Sequence, residues 1–287
     1  MKNIKGIILD VDGVIVGEKI GFNSPNPHID VIEKLKEIRN EGIPISLCTA
    51  KPHFSINKII KDTGLDNYHI ADGGSVIINP INNTIVKKHV INKKDVKSIL
   101  DMCLNNNIYT EFYTVDNYFI QENQMCDITQ KHIHILQDNP VIVENLSEES
   151  LKHEVTKIMP IALDENDQIR VTKLFEETNT GLTLSWGIHP VANPLKFGII
   201  TAPGISKKQG AIEISKNMGV PLENILAVGD STSDWQFIDL CGYGAAMGNS
   251  SEKLKQLVTT KKENNFYIGE DVDKNGIIEI LEYFNNK

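Results

Sequence analysis

The chain has 287 residues, 40% of them hydrophobic, and a formal net charge of -9. That length buries a real core in one large domain or two smaller ones. The apolar runs are strand-sized, too short for a membrane span, and the scattered basic residues form no stripe of the kind nucleic acid needs. "MKNIKGIILDVDG" shows no signal-peptide apolar region followed by a small-residue cleavage site, and Cys48, Cys103, Cys126 and Cys241 are scattered without a CxxC pair. A cytoplasmic protein with free thiols is therefore expected.

In chain order, "KGIILD" reads as a strand, "IDVIEKLKEIRNEG" as an amphipathic helix stopped by glycine, "IPISLCT" as a strand, "HFSINKIIKDTG" as a helix and "YHIAD" as a short strand. The stretch from about 81 to 200 differs, being richer in Asn, Thr and His. It reads as strand "TIVKKHV", helix "KKDVKSILDMCLNNN", a hairpin of "IYTEFYT" and "NYFIQ", strand "KIMPIAL", helix "DQIRVTKLFEET", then strands "GLTLSWGI" and "LKFGIIT". Strand-helix alternation then returns with "KKQGAIEISKNMG", "ENILAVGD", "SDWQFIDLCG", "YGAAMG" and "SSEKLKQLVTT". The pattern predicts a doubly wound parallel sheet built from residues 1–80 and 201–287, with an α+β domain, 81–200, inserted between its halves and able to close over a site.

Ligands of an open parallel sheet bind beyond the carboxyl ends of its strands. Those ends carry Asp10-Val11-Asp12, Cys48-Thr49-Ala50-Lys51, and Gly229-Asp230 running on to Asp234. Taken alone, the Asp-x-Asp also fits turn or cap residues. Brought to one rim, however, two carboxylates about 4 Å apart repel by ~4 kcal/mol at an effective dielectric near 20. Such a cluster needs a cation, and a set of oxygen ligands without His or Cys favours Mg²⁺ over softer metals.

With "ILDVDGV", "SLCTAK", "ISKKQG" and "VGDSTSD" in this order and a domain-sized gap between the second and third, the whole chain resembles the Cof-like branch of the haloacid dehalogenase superfamily. The resemblance implies a HAD-like Rossmannoid core with an inserted α+β cap, Mg²⁺, and phosphoryl transfer. It assigns Asp10 as nucleophile, Asp12 as acid/base, Thr49 as a phosphate-binding hydroxyl with Ala50, Lys51 and Ser233 beside it, Lys207 as the third-motif lysine, and Asp230 and Asp234 as metal-site acids alongside Asp10 and Asp12. An aspartate is ionised at neutral pH, so Asp10 needs no base to attack phosphorus; Asp12 should have its pKa raised toward neutrality by acidic neighbours and burial. Lys51 stands where the branch usually has Arg, and Ser233 where it usually has Asn. Lys208, next to Lys207, fits a solvated role.

The expected partner is a small phosphorylated metabolite, sugar phosphates being one candidate class. A phosphomutase is the rival enzyme reading, although only Arg170 in the inserted segment could clamp a second phosphate; a catalytically silent phospho-ligand-binding module is the rival outside catalysis. Weaker features are His132 and His134 in "KHIHIL", ambiguous between strand and helix and near Cys126, and Trp186, His189 and Asn193 in "TLSWGIHPVANP". These last could offer a stacking face and hydrogen bonds to substrate, while packing fits Trp186 equally well. Oligomeric state is not legible.

Overall fold

The computed structural model describes every residue except Lys2 and Lys287. Its first strand, β1 (Gly6–Leu9), is buried at all four positions, as a strand covered on both faces must be. Helix α1 (Ile29–Asn40) turns Val31, Ile32, Leu35 and Ile38 inward, is capped by the His28 side chain, and gives way to Gly42 at φ +85 before β2 (Ile45–Leu47). Helix α2 (His53–Thr63) ends on left-handed Gly64, and β3 (His69–Ala71) follows.

The segment after β3 contains strands β4 (Val76–Asn79) and β5 (Thr84–Lys88), helix α3 (Lys93–Asn105), strands β6 (Tyr109–Tyr113) and β7 (Tyr118–Gln121), and helix α4 (Asp127–Leu136). Strand β8 (Val141–Val143), helix α5 (Leu146–Ser150), β9 (Lys157–Ala162), α6 (Glu165–Glu177), β10 (Thr183–Gly187) and β11 (Lys196–Thr201) complete it. The chain then returns through α7 (Lys207–Met218), β12 (Ile225–Gly229), α8 (Trp235–Ile238), β13 (Tyr243–Ala246), α9 (Glu252–Val258), β14 (Phe266–Ile268) and α10 (Gly276–Asn285).

A parallel sheet in the order β14-β13-β12-β1-β2 forms the core, with Gly6 in register with Ile225 and Ile7 with Ile45. The order reverses around β1, so the crevice at its carboxyl end is the expected ligand position. A single parallel bridge, Cys48 to Ile70, joins this sheet to an antiparallel one of order β3-β4-β5. Strand β5, numbered with the inserted segment in the sequence, therefore pairs through β4 with a strand of the first eighty residues.

The cap is a six-stranded sheet, β10-β11-β9-β6-β7-β8, antiparallel except between β7 and β8. One face packs against α3, α5 and α6 through residues such as Ile99, Leu100, Leu146, Val171, Phe112 and Ile158. The other carries Tyr113, Tyr118, Met159, Phe197 and Ile199, joined by Ile135 and Leu136 of α4 and by Ala50 and Phe54 of the core domain. That shared cluster seats the cap over the carboxyl ends of β1, β2 and β12.

Candidate active site

Each acidic group is delivered by a tight turn at a strand end. After β1, Asp10 accepts the Val11 N–H at 2.7 Å and the chain reverses through Gly13, at φ +76. A Cβ on Gly13 would lie 2.0 Å from Asp230 Oδ2, so only glycine lets the two loops meet. After β12, Gly229 leaves room for the Asp234 side chain, and Asp234 Oδ2 accepts the N–H groups of Asp230 and Ser231 at 3.1 and 2.9 Å. Lys207, the first residue of α7, donates from Nζ to Asp10 Oδ2 at 2.6 Å and to Asp234 Oδ1 at 2.7 Å.

Asp10, Asp230 and Asp234 are buried, and each offers an oxygen within 4.8 Å of the other two. Burial, opposed by Lys207 and reinforced by Asp234, raises the Asp10 pKa to about 7; burial with Asp234 and Asp10 beside it pushes Asp230 well above the carboxylate range. One lysine is thus too little positive charge for three carboxylates. The surplus, in an all-oxygen donor set, fits a hard divalent cation such as Mg²⁺.

Asp12 differs from its expectation. Although burial works to raise it, Lys51 and then His189 outweigh the desolvation and hold it below the usual carboxylate range. Lys51 Nζ lies 3.3 Å from Asp12 Oδ1 and His189 Nε2 lies 3.0 Å from it, both as ion-pair approaches outside hydrogen-bond geometry. The sequence suggested a raised pKa because it set Lys51 beside phosphate and gave no sign that His189 would lie against Asp12. Asp10 departs the other way, its desolvation raising what an exposed aspartate would keep near 4.

Thr49 is buried beside this group, its hydroxyl accepting the Lys51 N–H at 3.1 Å. Ala50 accepts the Lys157 ammonium on its carbonyl at 2.8 Å, and the Ser233 hydroxyl pairs with that of Ser231 at 2.7 Å. Lys51, expected among the phosphate-binding groups, spends its ammonium on the Ile135 carbonyl at 2.7 Å and on Asp12. Lys208 is exposed. A cavity of about 40 Å³ has Asp10, Asp12, Thr49 and Asp230 at its base, with Ser185 and Ile188 of the cap above.

Of the weaker features, "KHIHIL" lies in helix α4, which separates His132, on Glu111, from His134, whose Nε2 is 3.3 Å from Ser24 Oγ. Trp186 donates to Thr172 on the far face of the cap sheet and Asn193 is exposed, so of that trio only His189 reaches the catalytic rim. The sequence reading missed the fully buried pair Lys157 and Asp72, 2.9 Å apart across the cap–core junction; its one signal was a lysine heading the otherwise apolar strand "KIMPIA".

A family model described as haloacid dehalogenase-like hydrolase matches residues 7–281. Phosphatase YwpJ of Bacillus subtilis (strain 168) is 22% identical, over 98% of this chain and 99% of that protein. Pyridoxal phosphate phosphatase YbhA of Escherichia coli (strain K12) is also 22% identical, over 87% and 89%. Among solved structures, the HAD subclass IIB sugar phosphatase BT4131 superposes with a TM-score of 0.79 at 21% identity, covering 98% of this chain and 99% of that one. A putative HAD/COF-like hydrolase from Plasmodium vivax gives 0.82 at 17%, covering 99% and 97%. With its strand-end acids, its third-motif lysine and a family match across nearly its whole length, this chain belongs to the haloacid dehalogenase-like hydrolases and is a phosphoric monoester hydrolase.

Proposed function

We propose that the protein is a Mg²⁺-dependent phosphatase that hydrolyses small phosphorylated metabolites through an aspartyl-phosphate on Asp10. The observation that carries this reading is the convergence of Asp10, Asp230 and Asp234 on one point with Lys207 bridging two of them. Asp10, Asp230 and Asp234, with the backbone of Asp12, would hold the ion, which when bound neutralises acidic charge and part of the phosphoryl charge. Relatives named as sugar, pyridoxal phosphate and 5-amino-6-(5-phospho-D-ribitylamino)uracil phosphatases support a small phosphorylated substrate.

In this reading Asp10 Oδ2 attacks phosphorus and the leaving alkoxide departs on the side of Asp12. The arriving phosphoryl dianion adds negative charge beside Asp12 and raises its affinity for a proton, which it passes to the alkoxide. In the second half, Asp12 takes a proton from the water that attacks the acyl phosphate. Lys207, the Thr49 and Ser233 hydroxyls and backbone N–H groups beside Ala50 stabilise charge on the phosphoryl oxygens. Lys51 remains with Asp12 and steadies its carboxylate.

Replacing the nucleophile tests the scheme. Asp10→Asn keeps the shape of the side chain and cannot form the acyl phosphate, so phosphate release from p-nitrophenyl phosphate and from a phosphoester panel, with Mg²⁺ present, should fall by at least a thousandfold. Activity within tenfold of the parent would remove Asp10 from the role.

A further inference from the structure

Beyond Asp12, on the leaving-group side, a second cavity of about 50 Å³ lies between core and cap. It has Asp12, Ala50 and Lys51 at its base, and its upper wall is largely apolar, with Ile135, Met159, Ile188 and Phe197. Three polar side chains interrupt that wall: His189, which faces Asp12, Lys157, whose ammonium is taken up by Asp72 and the Ala50 carbonyl, and His132. A space of this size holds about three or four waters, so with the cap seated the group that fills it has only a few non-hydrogen atoms.

His132 is 3% exposed and its Nδ1 lies 2.8 Å from Oε1 of Glu111, which is fully buried. Glu111 is itself fixed by the Tyr113 hydroxyl at 2.5 Å and the Tyr109 hydroxyl at 3.2 Å, the latter also touching Thr129 at 3.0 Å. A carboxylate buried this deeply in the middle of a cap strand is costly unless it serves a partner. Here two tyrosine hydroxyls hold it so that it can hold one ring. In the tautomer that gives Nδ1–H to Glu111, the ring keeps its lone pair on Nε2. Among the described residues nothing bonds that nitrogen.

Resting on the phosphatase reading above, we propose that His132, oriented by Glu111, is a specificity-determining residue whose Nε2 accepts a hydrogen bond from a hydroxyl on a compact leaving group. The preferred substrates are then monophosphates of short alcohols carrying a second hydroxyl a few atoms from the ester. The apolar walls bind the carbon chain, and with Lys157 held by Asp72 and the Ala50 carbonyl and His189 turned to Asp12, His132 reads its far end. A pocket built to pair one hydroxyl discriminates strongly against the analogue lacking it, because a buried polar atom is then left without a partner.

The test compares kcat/KM, with Mg²⁺, for 2-hydroxyethyl, 3-hydroxypropyl and 4-hydroxybutyl phosphate against ethyl, propyl and butyl phosphate. The hydroxylated ester should win by at least tenfold at one chain length in the parent enzyme. His132→Phe should reduce that ratio to within about threefold while alkyl phosphates are still hydrolysed. The double variant Glu111→Gln/His132→Phe, which leaves no carboxylate stranded, should behave the same way and serves if the single variant does not fold. Alkyl phosphates turned over with no hydroxyl preference, or a preference that survives loss of the imidazole, overturns the role of His132 and leaves the phosphatase reading standing. No turnover of these six esters by a parent that hydrolyses p-nitrophenyl phosphate overturns the proposal alone, and no turnover of p-nitrophenyl phosphate or any ester of the wider panel overturns both.

Discussion

At His69 a side chain finishes what the backbone leaves undone between two strands. Its Nδ1 accepts the Leu47 N–H at 3.0 Å, in a site with no exposure to water. Burial lowers its pKa from 6.5 to about 4, so the folded protein keeps the ring neutral where the unfolded chain protonates it. The unfolded state therefore binds the extra proton first. Stability from this group is whole above pH 6.5, declines as pH falls toward 4, and by then about 3 kcal/mol has been lost. His69→Asn, whose Oδ1 occupies roughly the Nδ1 position and does not titrate, should flatten the difference in urea-unfolding free energy between pH 7.5 and 4.5 by about that amount; parallel pH curves for parent and variant would refute the assignment. His69 also shows what sequence withholds at this scale. Asp10, Asp12, Asp230 and Asp234 stand out in the sequence as acids at or just past strand ends, and Lys207 only through the third motif of the family resemblance, whereas pairings such as Lys51 and His189 on Asp12 depend on three-dimensional approach, and with them the direction of its pKa.

Elements place those residues through turns that tolerate little. Gly13→Ala would force a Cβ against the Asp230 carboxylate in a left-handed backbone. It should cost about 1–2 kcal/mol in backbone strain alone and, by displacing Asp230, lower kcat with Mg²⁺ by at least a hundredfold. A variant with unchanged kcat would show that the two loops need not touch. Strands and helices with strong periodicity were legible in order, from β1 through α9, because burial on one or both faces writes itself into the apolar spacing. Helix α4 was not. "KHIHIL" alternates as a strand would, and what settles it is the docking of Ile135 and Leu136 beneath the cap sheet, together with His132 reaching Glu111. Strands β4, β8 and β14 and helices α5 and α10 were not read either.

For the whole molecule, the seat of the cap on the core rests on polar groups as well as on apolar packing. Lys157 meets Asp72 at 2.9 Å and the Ala50 carbonyl at 2.8 Å, and Lys51 meets the Ile135 carbonyl. Lys157→Met strands a buried carboxylate and should destabilise by about 3–5 kcal/mol. Adding Asp72→Asn should return much of it, as read by urea unfolding; a single variant costing under about 1 kcal/mol would mean that the junction opens and hydrates freely. The division into a parallel core and an inserted cap could be read from the change in texture along the chain, whereas the residues that bind the two together lay inside segments that looked like ordinary strands and turns. One further consequence follows from the register of Gly6 with Ile225. A nascent chain makes β1 long before β12, so one flank of the central strand stays unzipped until β12 has been synthesised. Until then Asp10 lacks Asp230 and Asp234 beside it, so a product truncated within or before β12 cannot begin the chemistry.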